Sequence, residues 1–544
     1  MTVHPVFLIG FPAAGKTTVG TQVAAALGRD FVDLDDAIAA RAGGTSAAAL
    51  VAADEVDFRR REAEALAALA TDATPRVIAT GGGAATWGDN LARMRAAGLV
   101  VTLAVDLDVA LARAAASGPR PLLGQPRPAL EAMYRRRAAA YRRAHAVVST
   151  DDRAPAAVAA DVVALVRRAE ARPGAAAWVC LGERTYPIVV DDTPLAAALA
   201  PYVRPGKAAL VADANLAPWI AAYRDALAAA GADVHVEVVP AGEASKSLDT
   251  YGRLAGALIG AGLDRWGTVW ALGGGVVGDL AGFVAATLYR GVDVVQLPTT
   301  LVAMTDSAIG GKTAVDVPAG KNLVGAFHQP RLVHAHTPTL DTLPPRERRA
   351  GFGELWKYAL LDGDALWDAV AALAPWAAGD AAPTPPGAVG VIERAAALKA
   401  AIVSRDERER TPVSLVPGAP PPGGGAGERA LLNLGHTIGH AIEAAAGWSL
   451  LHGECVGLGL VAMARISHRL GVAGADLEPR VTEALAATGL PTDLGPWLTP
   501  EVLGRVTVDK KRRGTHIGFV VCATSGDCRV MDVAPSDLAD LLRP

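Results

Sequence analysis

Short apolar runs alternate with longer amphipathic stretches over the first 170 positions of this chain. Val6–Ile9 precedes a Gly-rich turn and a helix-like stretch, and further β-like runs follow at Val77–Ala79 and Leu99–Val105. Runs of that length, separated by segments of helical period, predict a parallel sheet wrapped by helices. The stretch ARPGAAA at 171–177 carries no period, and a fresh β-like run, Trp178–Leu181, follows it. The pattern thus predicts a first domain at 1–170, a linker at 171–177 and a second α/β domain at 178–345, in which TVWALGGGVVGD is the clearest strand, turn and helix junction. From 346 to 544 the chain reads as mostly helical, broken by Pro/Gly-rich stretches near 375–388 and 411–427 that read as surface loops or insertions. The two halves share an α/β rhythm but no internal repeat.

With 544 residues, 51% of them hydrophobic and 20% charged, the chain can bury more than one core. A net charge of -4 provides no overall field for holding a nucleic acid or an anionic membrane, so small soluble substrates are expected. The start, MTVHPVFLIGFPAAGK, has no basic leader, and its apolar run is too short to span a bilayer, which leads to the expectation of a cytoplasmic protein. The basic stretch YRRRAAAYRR at 134–143 reads as a charged helix face rather than a nucleic-acid contact. Cys180, Cys455, Cys522 and Cys528 have neither zinc-finger nor disulfide-framework spacing and read as reduced thiols. Lys and Arg total 52, yet lysine is confined to Lys16, Lys207, Lys246, Lys312, Lys321, Lys357, Lys399, Lys510 and Lys511. Where arginine carries the bulk charge, a retained lysine suggests a task for a compact ammonium, such as contacting a phosphate.

Most of those lysines fall in motifs. Gly10-Phe-Pro-Ala-Ala-Gly15-Lys16-Thr17 satisfies G-x-x-x-x-G-K-[ST], follows a predicted strand and opens a predicted helix. Its backbone N–H groups can close on a phosphate chain, Lys16 can neutralise β/γ oxygens, and Thr17 can ligate magnesium. Asp33 and Asp35 in FVDLDD can hold magnesium and accept an alcohol proton. Then come Phe58-Arg59-Arg60-Arg61-Glu62, Gly81-Gly82-Gly83, Arg120-Pro-Leu-Leu, and Arg137 four residues before Tyr141. In this order and spacing the set resembles shikimate kinase over 4–168. The resemblance implies ATP and Mg2+ as cofactors, with Ala13, Ala14, Gly15, Lys16, Thr17 and Thr18 on the nucleotide and Arg120 on a lid above it. Thr17 and Asp33 would support the magnesium. Asp35, Arg59, Gly82 and Arg137 would contact shikimate, with Asp35 and Lys16 catalytic. Ala13-Ala14 and Ala139-Ala140 depart from that family's usual residues and bear on turnover.

In the second domain, LGGGVVGD suits close approach by a dinucleotide pyrophosphate. Its continuation, DLAGFVAATLYRGVDVVQLPTTLVAMTDSAIGGKTAVDVPAGKNLVGAFH, closely resembles the central signature of 3-dehydroquinate synthase. VADAN, PAGEASKS, GFGELWKY, LLNLGHTIGHAIE and LLHGECVGLGL extend the resemblance over roughly 178–535. By spacing alone, His436 and His440 at i, i+4 share one helix face, the simplest two-histidine metal site, to which His452 and Glu354 could add. The resemblance divides the labour otherwise: Glu354, His436 and His452 hold a divalent ion, Zn2+ or Co2+, and His440 is a substrate-side neighbour. It implies NAD+ on Asp213, Asn215, Glu243, Lys246, Gly275, Val276, Val277, Gly278, Asp279, Thr299, Thr300, Lys312, Lys321, Thr339 and Thr342. It further implies substrate contacts from Arg290, Asn322, Lys357, Lys399, Arg429 and Asn433, with Asp306, Lys312, Arg290, His440, Lys357 and Lys399 catalytic. Lys510 or Lys511 would reach a phosphate. Ala308 and the long loop between Glu409 and Arg429 depart from that family's pattern, and the loop's length is tolerable if its ends stay in place.

The expectation is a fused α/β enzyme: a P-loop kinase domain, a Rossmann-like NAD-binding part and a helical metal-binding part. It would phosphorylate shikimate and convert 3-deoxy-arabino-heptulosonate 7-phosphate to 3-dehydroquinate. The resemblance also admits a homodimer through the synthase part. The alternatives are a cyclase acting on another ketose phosphate, and a synthase carrying a non-catalytic nucleotide-binding module.

Overall fold

The computed structural model describes all residues except 1–3, 73, 118–120, 173, 380–382, 410–427, 448, 509–511, 514–515 and 544. The chain clusters into two compact units, Met1–Thr185 with Ala400–Glu428, and Tyr186–Lys399 with Arg429–Pro544.

The first unit is built on strands β1 (Val6–Ile9), β2 (Asp30–Asp33), β3 (Arg76–Ala79), β4 (Leu99–Ala104), β5 (Ala146–Ser149) and β6 (Ala177–Val179). They lie in the order β2-β3-β1-β4-β5-β6, with parallel registers such as Val6↔Val77 and Val6↔Leu99. Every residue of β1 and β4 is buried, which is why these strands read as continuous apolar runs: helices cover both faces of a parallel sheet. Helices α1 (Lys16–Leu27), α2 (Glu55–Thr71) and α3 (Arg127–Tyr141) carry the motif residues. The segment 400–428 belongs here through a buried charge cluster. Arg405 meets Asp106 at 2.7 Å and Glu428 at 2.6 Å, and Glu428 lies 3.4 Å from Arg142.

In the second unit, β7 (Tyr186–Asp191), β8 (Gly206–Asp213), β9 (Ala232–Val239), β10 (Thr268–Gly273) and β11 (Asp293–Pro298) join β14 (Leu332–His336) in the order β7-β14-β11-β10-β8-β9, again parallel. An antiparallel hairpin, β12 (Lys312–Val317) and β13 (Gly320–Phe327), stands apart from that sheet. Period-two alternation sends Ala209, Val211, Val269 and Ala271 into one apolar cluster and Ala208, Leu210, Trp270 and Leu272 into another, so both faces of the sheet are core. Helix α4 (Gly275–Thr287) follows β10; α5 (Pro345–Asp362), α7 (His436–Ala445) and α8 (His452–Arg469) follow the sheet, and of α6 (Gly387–Arg405) the residues up to Lys399 belong to this unit.

Two elements of secondary structure differ from the reading of the sequence. Ala374–Ala378, inside a stretch expected to be a loop, is a short helix whose Trp376 and Ala377 are buried; Pro375 sits in its first turn, where proline is tolerated. Near the C-terminus, His516–Thr524 and Asp527–Val533 pair antiparallel, adding a hairpin to the helical part. Its first strand is almost wholly apolar, and a run of that length does not by periodicity distinguish strand from buried helix.

Candidate active sites

The site of the first unit lies at the C-terminal ends of β1, β2 and β3, where a parallel sheet presents its loops to ligands. Gly10 has φ 146°, and a Cβ there would stand 2.4 Å from the Leu103 carbonyl oxygen, so only glycine fits. Gly15 caps α1 with φ 86° and no side-chain hydrogen bond, which leaves the first helical N–H groups available to an anion. Ala13 is left-handed at φ 65°, a strained choice for alanine. Lys16 Nζ donates to the carbonyls of Gly10 at 2.9 Å and Phe11 at 3.2 Å, holding the ammonium over the loop. Thr17 Oγ1 donates to Asp33 Oδ2 at 2.8 Å, so the two expected magnesium residues converge with the oxygen chemistry that ion requires. Thr18 and Ala14 take opposite roles: Thr18 is exposed on α1, and Ala14 is buried in the core.

Around Gly81–Gly83 the expected substrate residues come together. Added Cβ atoms would stand 2.6 Å from Glu62 Oε1 at Gly81, 3.4 Å from Arg137 Nη1 at Gly82 and 2.4 Å from Arg59 Nη2 at Gly83. Asp35 Oδ1 lies 3.1 Å from the Gly81 position. Arg59 and Arg137 are both buried, and Arg59 donates to Glu62 at 2.6 Å. Asp35 Oδ1, Glu62 Oε1 and Arg137 Nη1 are buried without a hydrogen-bond partner. Burial, and next the charge of Asp33, push the Asp35 carboxyl up from its ordinary value, toward the range of a useful base. Two planar guanidinium groups beside a carboxylate of raised pKa suit a hydroxylated carboxylic acid. Arg120 lies outside the described residues.

In the second unit, Glu354 on α5, His436 opening α7 and His452 opening α8 meet. Glu354 Oε1 is 3.2 Å from His436 Nε2 and 3.2 Å from His452 Nε2. Donor atoms around a tetrahedral ion at about 2.0–2.1 Å stand about 3.3 Å apart, so the residues present fit zinc or cobalt. Outer partners point the same way, with His436 Nδ1 3.0 Å from the Leu434 carbonyl and His452 Nδ1 3.3 Å from Glu443 Oε2. These bonds leave each Nε2 facing the Glu354 carboxylate, available to an ion. His440 is exposed, and its ring lies 5.2 Å from that of His436 and 5.7 Å from that of His452. Its ring nitrogen stands within 4.8 Å of theirs, so the i, i+4 reading of spacing is also geometrically open.

Next to these three side chains is a knot of charge. Lys357 Nζ lies 2.5 Å from Glu354 Oε2 and 3.2 Å from Asp306 Oδ1. Lys399 Nζ lies 2.9 Å from Asp306 Oδ2 and donates to the Asp306 carbonyl at 2.6 Å. Tyr358 donates its hydroxyl to Asp306 Oδ1 at 2.6 Å. Burial alone would raise the Asp306 pKa, but Lys357 and Lys399 hold it well below the usual carboxylate range. Burial pushes the Lys399 ammonium down to about 8; Asp306 opposes that shift, and Lys357 adds to it. Arg429 is buried beside the Phe327 ring at the start of the segment that leads to Asn433 and His436.

Of the expected dinucleotide residues, Asp213 ends and Asn215 follows β8, and residues 275–279 open the helix after β10, while Glu243 and Lys246 follow β9 and Thr339 and Thr342 follow β14. Gly274 precedes α4 in extended conformation without a side-chain cap, which leaves the N–H groups of Gly275, Val276 and Val277 for a pyrophosphate. A Cβ at Gly273 would stand 3.4 Å from that of Asp213, so the carboxylate at the end of β8 borders the Gly-rich turn, where a ribose binds in this architecture. Thr299 and Thr300 follow β11, and a Cβ at Gly274 would come within 3.1 Å of the Thr300 methyl. Asn215 donates its N–H to Asp213. Lys246 bonds Asp279 Oδ2 at 2.6 Å and Asn322 Oδ1 at 2.5 Å, and Lys321 reaches Glu243 at 3.3 Å. An expected substrate residue, Asn322, is thereby tied to an expected cofactor residue, and the hairpin that carries Lys312 and Lys321 is anchored. The residues present therefore fit NAD+. Arg290 stands apart: it is exposed after α4, with φ 68° beside Tyr289 at φ 50°, and no hydrogen bond or ion pair joins it to the Asp306 knot. Lys510 and Lys511 lie outside the described residues.

Three participants were given no role from the sequence. Glu62 is i+3 from Arg59, Tyr358 follows Lys357, and Glu443 is i+3 from His440 on α7. The helical spacing could have found the first and third; nothing local marks Tyr358.

Comparison with known proteins relates both regions to families. The shikimate kinase family profile matches residues 12–167, and the N-terminal and C-terminal profiles of 3-dehydroquinate synthase match 236–350 and 424–512. A 3-dehydroquinate synthase from Acidithiobacillus ferrooxidans is 42% identical over 378 residues, spanning 67% of this chain and 96% of that protein. Another from Xanthomonas axonopodis pv. citri is 44% identical over 391 residues, spanning 66% and 96%. Among solved structures, the 2-epi-5-epi-valiolone synthase ValA from Streptomyces hygroscopicus, with NAD+ and Zn2+ bound, is 27% identical, with TM-score 0.57 over 66% of this chain and 95% of its own. A 2-deoxy-scyllo-inosose synthase, 23% identical with TM-score 0.56 over 67% and 98%, shares the fold. The chain belongs to the 3-dehydroquinate synthase family and carries a shikimate kinase domain fused ahead of it. No helix among the described residues is long and apolar enough to cross a membrane.

Proposed function

We infer that the chain carries out two reactions of the shikimate pathway: ATP-dependent phosphorylation of shikimate to 3-phosphoshikimate, and conversion of 3-deoxy-arabino-heptulosonate 7-phosphate to 3-dehydroquinate and phosphate. We assign the first to a domain at 1–170 and the second to 178–544, joined through 171–177. The reading rests above all on the convergence of Glu354, His436 and His452 beside the Lys357–Asp306–Lys399 knot.

In the kinase site, Lys16 and the α1 N-terminus bind the nucleotide phosphates, while Thr17 and Asp33 hold Mg2+. Arg59 and Arg137 grip the shikimate carboxylate across the Gly81–Gly83 turn, and Asp35 accepts the proton of the attacking hydroxyl. Arg120 belongs to the lid. In the synthase site, Glu354, His436 and His452 hold Zn2+ or Co2+, and the residues from Asp213 to Thr342 hold NAD+. When bound, the ion supplies Lewis acidity and the dinucleotide supplies a hydride acceptor that is regenerated each cycle. Lys357, Lys399, Arg429 and Asn433 surround the doubly anionic substrate and His440 borders it, while Arg290, exposed after α4, lies outside that ring. Asp306, kept ionised by its two lysines, orients the ammonium groups that face the reacting carbons. Homodimerisation through the second unit, a cytoplasmic location, and the absence of nucleic-acid or membrane partners complete the proposal, the last supported by the weakly negative net charge of -4.

The deciding experiment compares the chain with its Lys16→Ala variant. Shikimate-dependent ADP formation is expected in the first and is expected to fall by about 100–1,000-fold in the second, with phosphate release from the heptulosonate phosphate equal in both. A parent chain that makes no ADP yet still releases phosphate would leave a synthase with a nucleotide-binding appendage.

A further inference from the structure

A second group of ligand-type side chains lies in the second unit. Strand β14 reads Leu332-Val-His-Ala-His336, and period two puts His334 and His336 on one face. In the parallel register, Asp191 at the end of β7 stands opposite His336. Asp191 Oδ1 is 3.1 Å from His334 Nε2 and 3.7 Å from His336 Nδ1, and one donor atom from each of the three side chains lies within 4.8 Å of the others. The two separations bracket the roughly 3.3 Å expected between ligands of a tetrahedral ion bound at about 2.0–2.1 Å.

Burial makes the arrangement informative. His334 is wholly inaccessible and His336 is 5% exposed. Among the described residues, His334 Nδ1, His336 Nδ1 and the hydroxyl of the fully buried Tyr223, which lies in range of the Asp191 charge, have no hydrogen-bond partner. A buried polar atom left unsatisfied is costly and rare in native folds, and His336 Nδ1 is such an atom facing the Asp191 carboxylate, to which His334 presents its Nε2.

We propose that Asp191, His334 and His336 form a second divalent-metal site, taking zinc or a similar borderline ion in a structural role. Imidazole and carboxylate ligands suit such an ion, and water can complete the coordination. The site ties the C-terminal ends of β7 and β14 together and supports the turn that follows. The Thr339 hydroxyl donates to the His336 carbonyl at 2.7 Å, and Trp219 packs edge-on against His336 while its indole N–H reaches the Thr342 hydroxyl at 3.2 Å.

The test uses the full chain, stripped of metal with a chelator, reloaded with Co2+ and dialysed, with bound cobalt counted per chain and its visible d–d band recorded. The parent is expected to hold two equivalents and the His436→Gln/His452→Gln variant one. Adding Asp191→Asn to that variant is expected to remove the last equivalent, and Zn2+ is expected to raise the Tm of the double variant but not of the triple one. A parent that binds one equivalent, with none left in His436→Gln/His452→Gln, overturns the proposal. So does an equivalent that survives Asp191→Asn. Because the double variant leaves Asp191, His334 and His336 intact, its count decides the matter even if the triple variant fails to fold.

Discussion

The two active sites meet their ligands in opposite electrostatic states. In the first unit, Asp35 Oδ1, Glu62 Oε1 and Arg137 Nη1 are buried and unpartnered, so the pocket carries unmet hydrogen-bonding capacity that a hydroxylated carboxylate satisfies on arrival. In the second, Lys357 and Lys399 are already ion-paired with Asp306 and Glu354 at 2.5–3.2 Å. An anionic substrate there must compete with the protein's own carboxylates for the two ammonium groups. The first arrangement gains binding energy from completing a network, and the second gains specificity from a preorganised field that a neutral ligand cannot exploit.

Metal removal should separate the sites most sharply. Loss of one outer partner of a ligating histidine weakens such sites by about 10–100-fold, so stripping the ion is expected to reduce phosphate release from the heptulosonate phosphate by more than that. Kinase activity, assayed after Mg2+ is restored, is expected to be unchanged. Parallel loss of both activities would show that the sites are not independent.

A smaller effect concerns pH. The Lys399 pKa is depressed to about 8, so the ammonium is present below that pH and lost as pH rises through it. The synthase kcat/KM, which reports the free enzyme, is expected to fall above pH 8 by up to about tenfold per unit, and Lys399→Arg should flatten that limb. An alkaline limb unchanged in Lys399→Arg would remove Lys399 from anion binding. The smallest effect is expected at Ala13, whose φ of 65° suits glycine. Ala13→Gly relieves about 1–2 kcal/mol of left-handed strain against about 0.5–1 kcal/mol of added chain entropy. Thermal unfolding should show a small gain in stability of the first unit, and a loss would mean that this strain is absent.

Local patterns announced much of this molecule. The apolar runs at Val6–Ile9 and Leu99–Val105 became fully buried central strands, because a parallel sheet covered on both faces demands such runs. The phosphate-binding loop was equally legible, since its spacing, its strand and its helix are contiguous. The spacing of His436 and His440 marked a candidate metal-binding helix, but no local spacing ties Glu354 to His436 and His452. Glu354 lies 82 residues earlier, and only the packing of α5 against α7 and α8 brings its oxygen to 3.2 Å from two imidazoles.

What the sequence by itself determined was therefore the identity and order of the chemical groups within each contiguous motif, because helix and strand periods act over a few residues. Tertiary structure alone decided which distant groups share a charge. Asp306 meets Lys399, Arg405 joins Asp106, and Asp191 reaches across one strand spacing to His334 and His336. Those pairings depend on strand order and helix packing, which no local period encodes, and burial then sets their strength by removing the water that would screen them.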